Sequence, residues 1–324
     1  MAKREYSGWI YQVDNDNQYS IIPDVEIEKP KTFFKYYALN KNSVSALTEM
    51  YLYASHPNQL NDPFDCNRDL ILIDTEEDAK TLWGKLYQPL KDEYEGDLNQ
   101  ILRESNKGFW LLLYKKIGII SLTESTLNPT MWSHYADNHK GFCIELDTDL
   151  VGFKHNGPFP MHYTNDIKPI GLSDFGGPLS VLIQTNVKNL EWQYEREWRM
   201  LGFSPNGEDF KYYGEKEDIY NVATECERKC SYSTNALKGV YLGEKFFCNQ
   251  ETIDISDNET EIAYKNNKDF GYRIIEFLSN PQLSNIKIFL EKHNHTHLGV
   301  ISFSQISIIK LCNLRFRIST SQNN

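Results

Sequence analysis

Three short segments place acids, bases and aromatic rings where plain packing does not call for them. In Trp192-Gln193-Tyr194-Glu195-Arg196-Glu197-Trp198-Arg199, the period of a strand would set Glu195, Glu197 and Arg199 on one face and Tyr194, Arg196 and Trp198 on the other. Two carboxylates two positions apart repel once desolvated, so a buried pair needs a cation, a ligand or a shared proton. The bland alternative is an exposed edge on which Glu197 pairs with Arg199. The flanking tryptophans imply a partly buried strand and favour a functional site.

The second segment, Met131-Trp132-Ser133-His134-Tyr135-Ala136-Asp137-Asn138-His139-Lys140-Gly141, combines stacking surfaces with hydrogen-bonding rings. On a helix Tyr135 and His139 share a face at i and i+4, as do Trp132 and Ala136. A helix that buries Trp132 and leaves both histidines solvated or satisfied is weighed equally. The third segment, Asn61-Asp62-Pro63-Phe64-Asp65, is made of turn formers. The larger share goes to a rigid turn with Phe64 in the core, and the functional alternative puts a carboxylate or amide at a site rim. Cys226 and Cys230 lack the second half of a zinc site, and His293, His295 and His297 follow an expected helix with no carboxylate in register, so no metal site is expected.

The elements that must position these segments follow from period and punctuation. Residues 1–30 lack a steady period and read as an N-terminal arm that ends at Pro30. Phe33-Phe34-Lys35-Tyr36-Tyr37 reads as a strand, residues 43–51 as a short helix capped by Ser43, and 52–54 as extended. Thr75 caps a helix whose face is Ala79, Leu82, Trp83, Leu86 and Tyr87, bent or ended at Pro89. Helices are expected at 97–114, from Asn128-Pro129-Thr130 to near His139, at 182–189 and at 285–292. Further strands are expected at 118–123, 142–146, 161–163, 194–201, 238–242 and 314–318. No regular βαβ alternation or glycine-rich phosphate loop is present, so the expected class is α+β with a mixed, mostly antiparallel sheet. A core domain at 31–250 would carry a C-terminal helix-and-strand extension at 251–324.

Composition sets the outer bounds. The chain has 324 residues with 34 basic and 45 acidic side chains, a formal charge of −11, which argues against broad phosphate binding. No stretch approaches the ~20 apolar residues of a membrane helix, and the N-terminus has no apolar run of a signal peptide. A cytoplasmic protein with free thiols and no membrane partner is therefore expected. With 20 Tyr, 17 Phe and 6 Trp the chain is rich in rings, which supply core mass first and ligand-stacking surfaces second.

Together the segments resemble a bacterial family known as domain of unknown function 2971, whose recurring elements are matched here by Phe34-Lys35-Tyr36, Asn61 to Phe64, Ser121-Leu122-Thr123, Trp132 to Tyr135 with Gly141, and Trp192 to Arg199. The resemblance spans residues 33–243. More distantly the pattern is similar to ADP-ribosyltransferases, which implies a split sheet and NAD as substrate, with a protein or nucleic-acid acceptor. On that resemblance Glu197 and Glu195 would be catalytic together with Ser121, Tyr135 and His134. Lys35, Tyr36, Tyr37, Asn61, Asp62, Trp132 and Arg199 would bind NAD. Lys35 stands where those enzymes carry His or Arg. An effector role in phage defence or a toxin system would follow by association alone. Two rivals stay open: a metal-dependent nuclease or hydrolase using Asp62, Asp65, Glu195 and Glu197, and a non-catalytic nucleotide sensor.

Overall fold

The computed structural model describes residues 2–15, 18–150, 156–203, 228–293 and 300–321. It is α+β, with a large, mixed, mostly antiparallel sheet and flanking helices. The chain divides into two compact units. The first draws on residues 1–29, 53–121 and 154–229, the second on 30–52, 122–153 and 230–324. Among the described residues no helix is long and apolar enough to cross a membrane.

In the first unit the strand Glu197–Phe203 pairs antiparallel with Asn156–Pro160, Trp198 opposite Pro160 and Arg199 opposite Phe159. The arm expected to be irregular is instead a three-stranded antiparallel sheet of Ala2–Tyr6, Trp9–Val13 and Tyr19–Ile22. Ser7 and Gly8, both at positive φ, form its first turn, the two-residue connection whose twist suits a hairpin. Tyr6, Trp9 and Tyr11 pack into a core with Ile71, Phe109, Ile119, Leu182 and Leu201. Helix Glu76–Trp83 is capped by Thr75 as expected, with a reciprocal Asp78 contact. It stops at Gly84, φ 51°, and Pro89 lies inside a separate helix, Tyr87–Glu93. The long helix runs Leu98–Lys116 and the buried strand Ile117–Thr123. The helix placed at 182–189 begins earlier, at Gly177, and ends at Asn186.

In the second unit the neighbouring strands are Glu251–Ser256, Glu259–Ala263, Arg315–Thr320, Ile301–Cys312, Lys287–His293, Leu237–Leu242, Phe142–Leu146 and Phe33–Tyr37, in that order. Leu237–Leu242 and Lys287–His293 run parallel, and each other neighbouring pair is antiparallel. The tail helix expected at 285–292 is therefore the strand Lys287–His293. Helix Lys41–Thr48 is capped by Asn40 rather than Ser43, in a box in which each side chain accepts the other's backbone N–H. Helix Phe270–Leu278 was not foreseen; Tyr272, Ile274, Ile275 and Leu278 form its buried face.

Candidate functional site

The acidic pair is assembled from two different elements. Leu190–Glu195 is a 3-10 helix whose first turn is capped by Asn189, and Arg196 follows in the left-handed region, φ 45°. The strand begins only at Glu197, so the expected alternation from residue 194 is corrected. Arg196 turns out to solvent while Glu195, Glu197 and Arg199 are all buried. Within the strand, period two does place Glu197 and Arg199 on one face.

Lys188, at the end of the strand Val187–Lys188, sits among three carboxylates: 2.6 Å from Glu195, 3.0 Å from Glu197 and 3.7 Å from Asp65. Its ammonium also lies 5.0 Å from the centre of the Trp192 ring, a cation–π contact. Arg199 uses all five of its N–H donors. Nε gives one to Glu197 at 2.8 Å and Nη1 gives two, to Asp65 and the Thr185 carbonyl, each at 2.8 Å. Nη2 donates to the second Asp65 oxygen and, at 3.2 Å, to Glu197. The group counts three carboxylates against two cations, a formal −1 at less than 8 % exposure for every member.

Burial alone would push the Glu197 carboxyl up. Arg199 and then Lys188 outweigh it, and hydrogen bonds from Arg199 and Ser121 add to them, so the group is held down at about 2. Ser121 reaches it from the strand Ile117–Thr123 in the same unit. The Glu197 backbone N–H donates to the Tyr163 hydroxyl at 2.8 Å, and burial, then the Glu197 charge, raises that phenol. The site therefore holds a fixed, ionised carboxylate, with a neutral phenol accepting the backbone N–H of the same residue.

The turn at residues 61–65 serves this site through Asp65. Asn61 is exposed, and Asp62 is buried with its side chain accepting the Phe64 N–H at 2.9 Å. Phe64 is 74 % exposed, which corrects its expected place in the core. The other expected residues belong to the second unit. Trp132 is fully buried and donates Nε1 to the Thr126 carbonyl at 2.8 Å. Tyr36, also buried, meets it edge-on at 5.1 Å and donates its hydroxyl to the Ser125 carbonyl. Both are core rings as placed. Lys35 lies 5.8 Å from the Tyr37 ring centre, and Tyr37 stacks on Phe142. His134 is exposed, beside a half-buried Tyr135.

Helix Pro129–Tyr135 ends before His139, so the expected i, i+4 face of Tyr135 and His139 does not form. Instead Asp137, Asn138 and His139 stand in succession at φ 48°, 52° and 68°, a conformation that costs on the order of 1–3 kcal/mol per residue. The turn is held by bonds from the His139 N–H to the Trp132 carbonyl and from the Lys245 N–H to the His139 carbonyl. Gly141 and Gly243 allow it: a Cβ on Gly141 would lie 2.1 Å from the Tyr37 carbonyl oxygen, and one on Gly243 2.1 Å from that of His139. The result points His139 Nδ1 at Glu291, 2.8 Å from Oε1. His293 stands 3.1 Å from the same oxygen. Sequence reasoning missed this cluster because it put Glu291 on a helix. Cys226, His295 and His297 lie outside the described residues.

Residues 131–200 match the model of a family described as protein of unknown function (DUF2971). That range includes the Trp132 to Gly141 helix and turn, and it also holds Lys188, Glu195, Glu197 and Arg199. No curated protein and no solved structure matches the chain.

Proposed function

We propose that the chain is an ADP-ribosyltransferase-like enzyme that uses NAD as substrate, with Glu197 as its central carboxylate. The supporting observation is the Ser121–Glu197 hydrogen bond on a carboxylate held ionised by Arg199 and Lys188. In this reaction the bond between nicotinamide and ribose breaks with its electron pair leaving on nicotinamide. A bond from the ribose carbon to an acceptor oxygen or nitrogen forms, and the acceptor loses a proton. Positive charge grows on the sugar, so a fixed negative group stabilises the transition state more than the ground state. The net −1 of the buried group has the sign this requires. Glu195, held by Lys188, orients or deprotonates the acceptor. Arg199 has no donor left for a phosphate, so its part is to position Glu197.

The same contacts weigh against a metal-dependent hydrolase at these acids. The centre of Asp65, Glu195 and Glu197 already holds the Lys188 ammonium, and the Asp62 carboxylate is engaged by its own turn. The test is incubation of the protein with labelled NAD and a mixed protein and nucleic-acid extract. Release of nicotinamide with label in an acceptor is expected. Thermal stabilisation by NAD with no nicotinamide released would replace the enzyme with a sensor, and neither effect would end the assignment.

A further inference from the structure

We propose that His139, Glu291 and His293 of the second unit bind one Zn²⁺ ion, through Nδ1 of His139, Oε1 of Glu291 and Nε2 of His293, with a further position open to water. The ligand atoms of the three residues all lie within 4.8 Å of one another. Oε1 of Glu291 is 2.8 Å from His139 Nδ1 and 3.1 Å from His293 Nε2. Donors on a tetrahedral zinc ion with bonds of ~2.0–2.2 Å stand roughly 3.3–3.6 Å apart, so Glu291 Oε1 must draw back from the two nitrogens by some tenths of an ångström to admit the ion.

The surroundings are those of a ligand set rather than a chance contact. Each imidazole has its other nitrogen held: Nε2 of His139 by the Ser133 hydroxyl at 3.3 Å, and Nδ1 of His293 by the Glu244 carboxylate at 3.1 Å. The Glu244 N–H donates to Oε2 of Glu291 at 3.0 Å; that oxygen also lies 3.0 Å from His139 Nδ1, while Oε1 faces both rings. Such outer partners fix the tautomer and direction of metal-binding histidines. Glu291 is fully buried, and among the described residues its ion-pair partners are His139 and His293. A buried carboxylate calls for a cation, and one divalent ion bound to both imidazoles supplies it. Two imidazole nitrogens and one oxygen suit zinc and its first-row neighbours, not Mg²⁺ or Ca²⁺. His293 and Glu244 each keep 32 % of their side chains exposed, so solvent can reach the open position. The left-handed turn that delivers His139 gives the strain a purpose.

The inference stands apart from the transferase assignment and its test needs no NAD. The full chain is stripped with a chelator, dialysed and titrated with Co²⁺, followed by visible absorption and then by displacement with Zn²⁺. One ion per chain is expected, with the spectrum of nitrogen and oxygen donors. His293→Ala should keep its circular dichroism and lose at least about 100-fold in affinity, and Glu244→Gln about 10-fold. No cobalt band, thiolate charge-transfer absorption that assigns the ion to cysteine, or unchanged affinity in His293→Ala would each overturn it.

Discussion

Nε of Arg199 donates to Oε1 of Glu197 at 2.8 Å, two residues apart on one face of the strand Glu197–Phe203. Both groups are buried, so each is tolerable only beside opposite charge, which Arg199 and Lys188 supply to Glu197. Asp65 closes the same circuit from a distant turn, through two hydrogen bonds to the other end of the guanidinium.

Asp65→Ala therefore takes the acceptors from two of the five N–H donors of Arg199 at a dry site. Breaking such a pair costs about 3–5 kcal/mol, to be read as a lower urea midpoint. Phe64→Ala, one residue away but on an exposed ring, should stay within about 0.5 kcal/mol of the parent. Equal effects would contradict the assignment of roles within this turn.

Two groups of the first unit set separate acid windows. Burial holds His162 down at about 4, where its ring stacks on Trp9 at 4.3 Å and Nδ1 meets the Tyr11 hydroxyl at 3.1 Å. The unfolded chain takes up this proton first, so stability present above about pH 6.5 is lost as pH falls from there to 4. Glu197 is likewise lower folded than unfolded, so its contribution is lost as pH falls from about 4.5 toward 2. Chemical unfolding at a series of pH values should show both phases, with the upper one missing in His162→Phe and the lower one reduced in Glu197→Gln. A flat profile between pH 6.5 and 4 would contradict a neutral, buried His162.

Gly243→Ala should cost about 1–3 kcal/mol, the usual effect of forced overpacking, because the new methyl meets the His139 carbonyl oxygen. The melting temperature measures it. Gly177→Ala, with open space around its Cβ position, serves as the control and should leave the melt unchanged.

Much of the scaffold was legible because its signals are local. Thr75 and Asn128 announce their helices, and the strand Phe142–Leu146 falls where expected after Gly141. The acidic pair was legible as chemistry, while its partners were not. Lys188 lies in a two-residue strand, and Asp65 is 134 positions from Arg199, so neither contact has a sequence period. The tail failed for a different reason. Lys, Leu and Glu favour a helix, but pairing on both sides makes Lys287–His293 a strand, and tertiary context wins over propensity. That single change of period puts Glu291 and His293 on one face and brings the His139 cluster into being. In the arm, Ser7-Gly8 between Tyr6 and Trp9 is a local hairpin signal.

Nicotinamide released from NAD, compared between the parent chain and Glu197→Gln in the presence of the mixed extract, tests the central proposal most directly. The substitution leaves Asp65 and Glu195 balanced by Lys188 and Arg199, so circular dichroism should be unchanged. Release should fall by about 10²–10³-fold, the usual scale for losing one electrostatic stabiliser of a transition state. Equal release from the two proteins would contradict it.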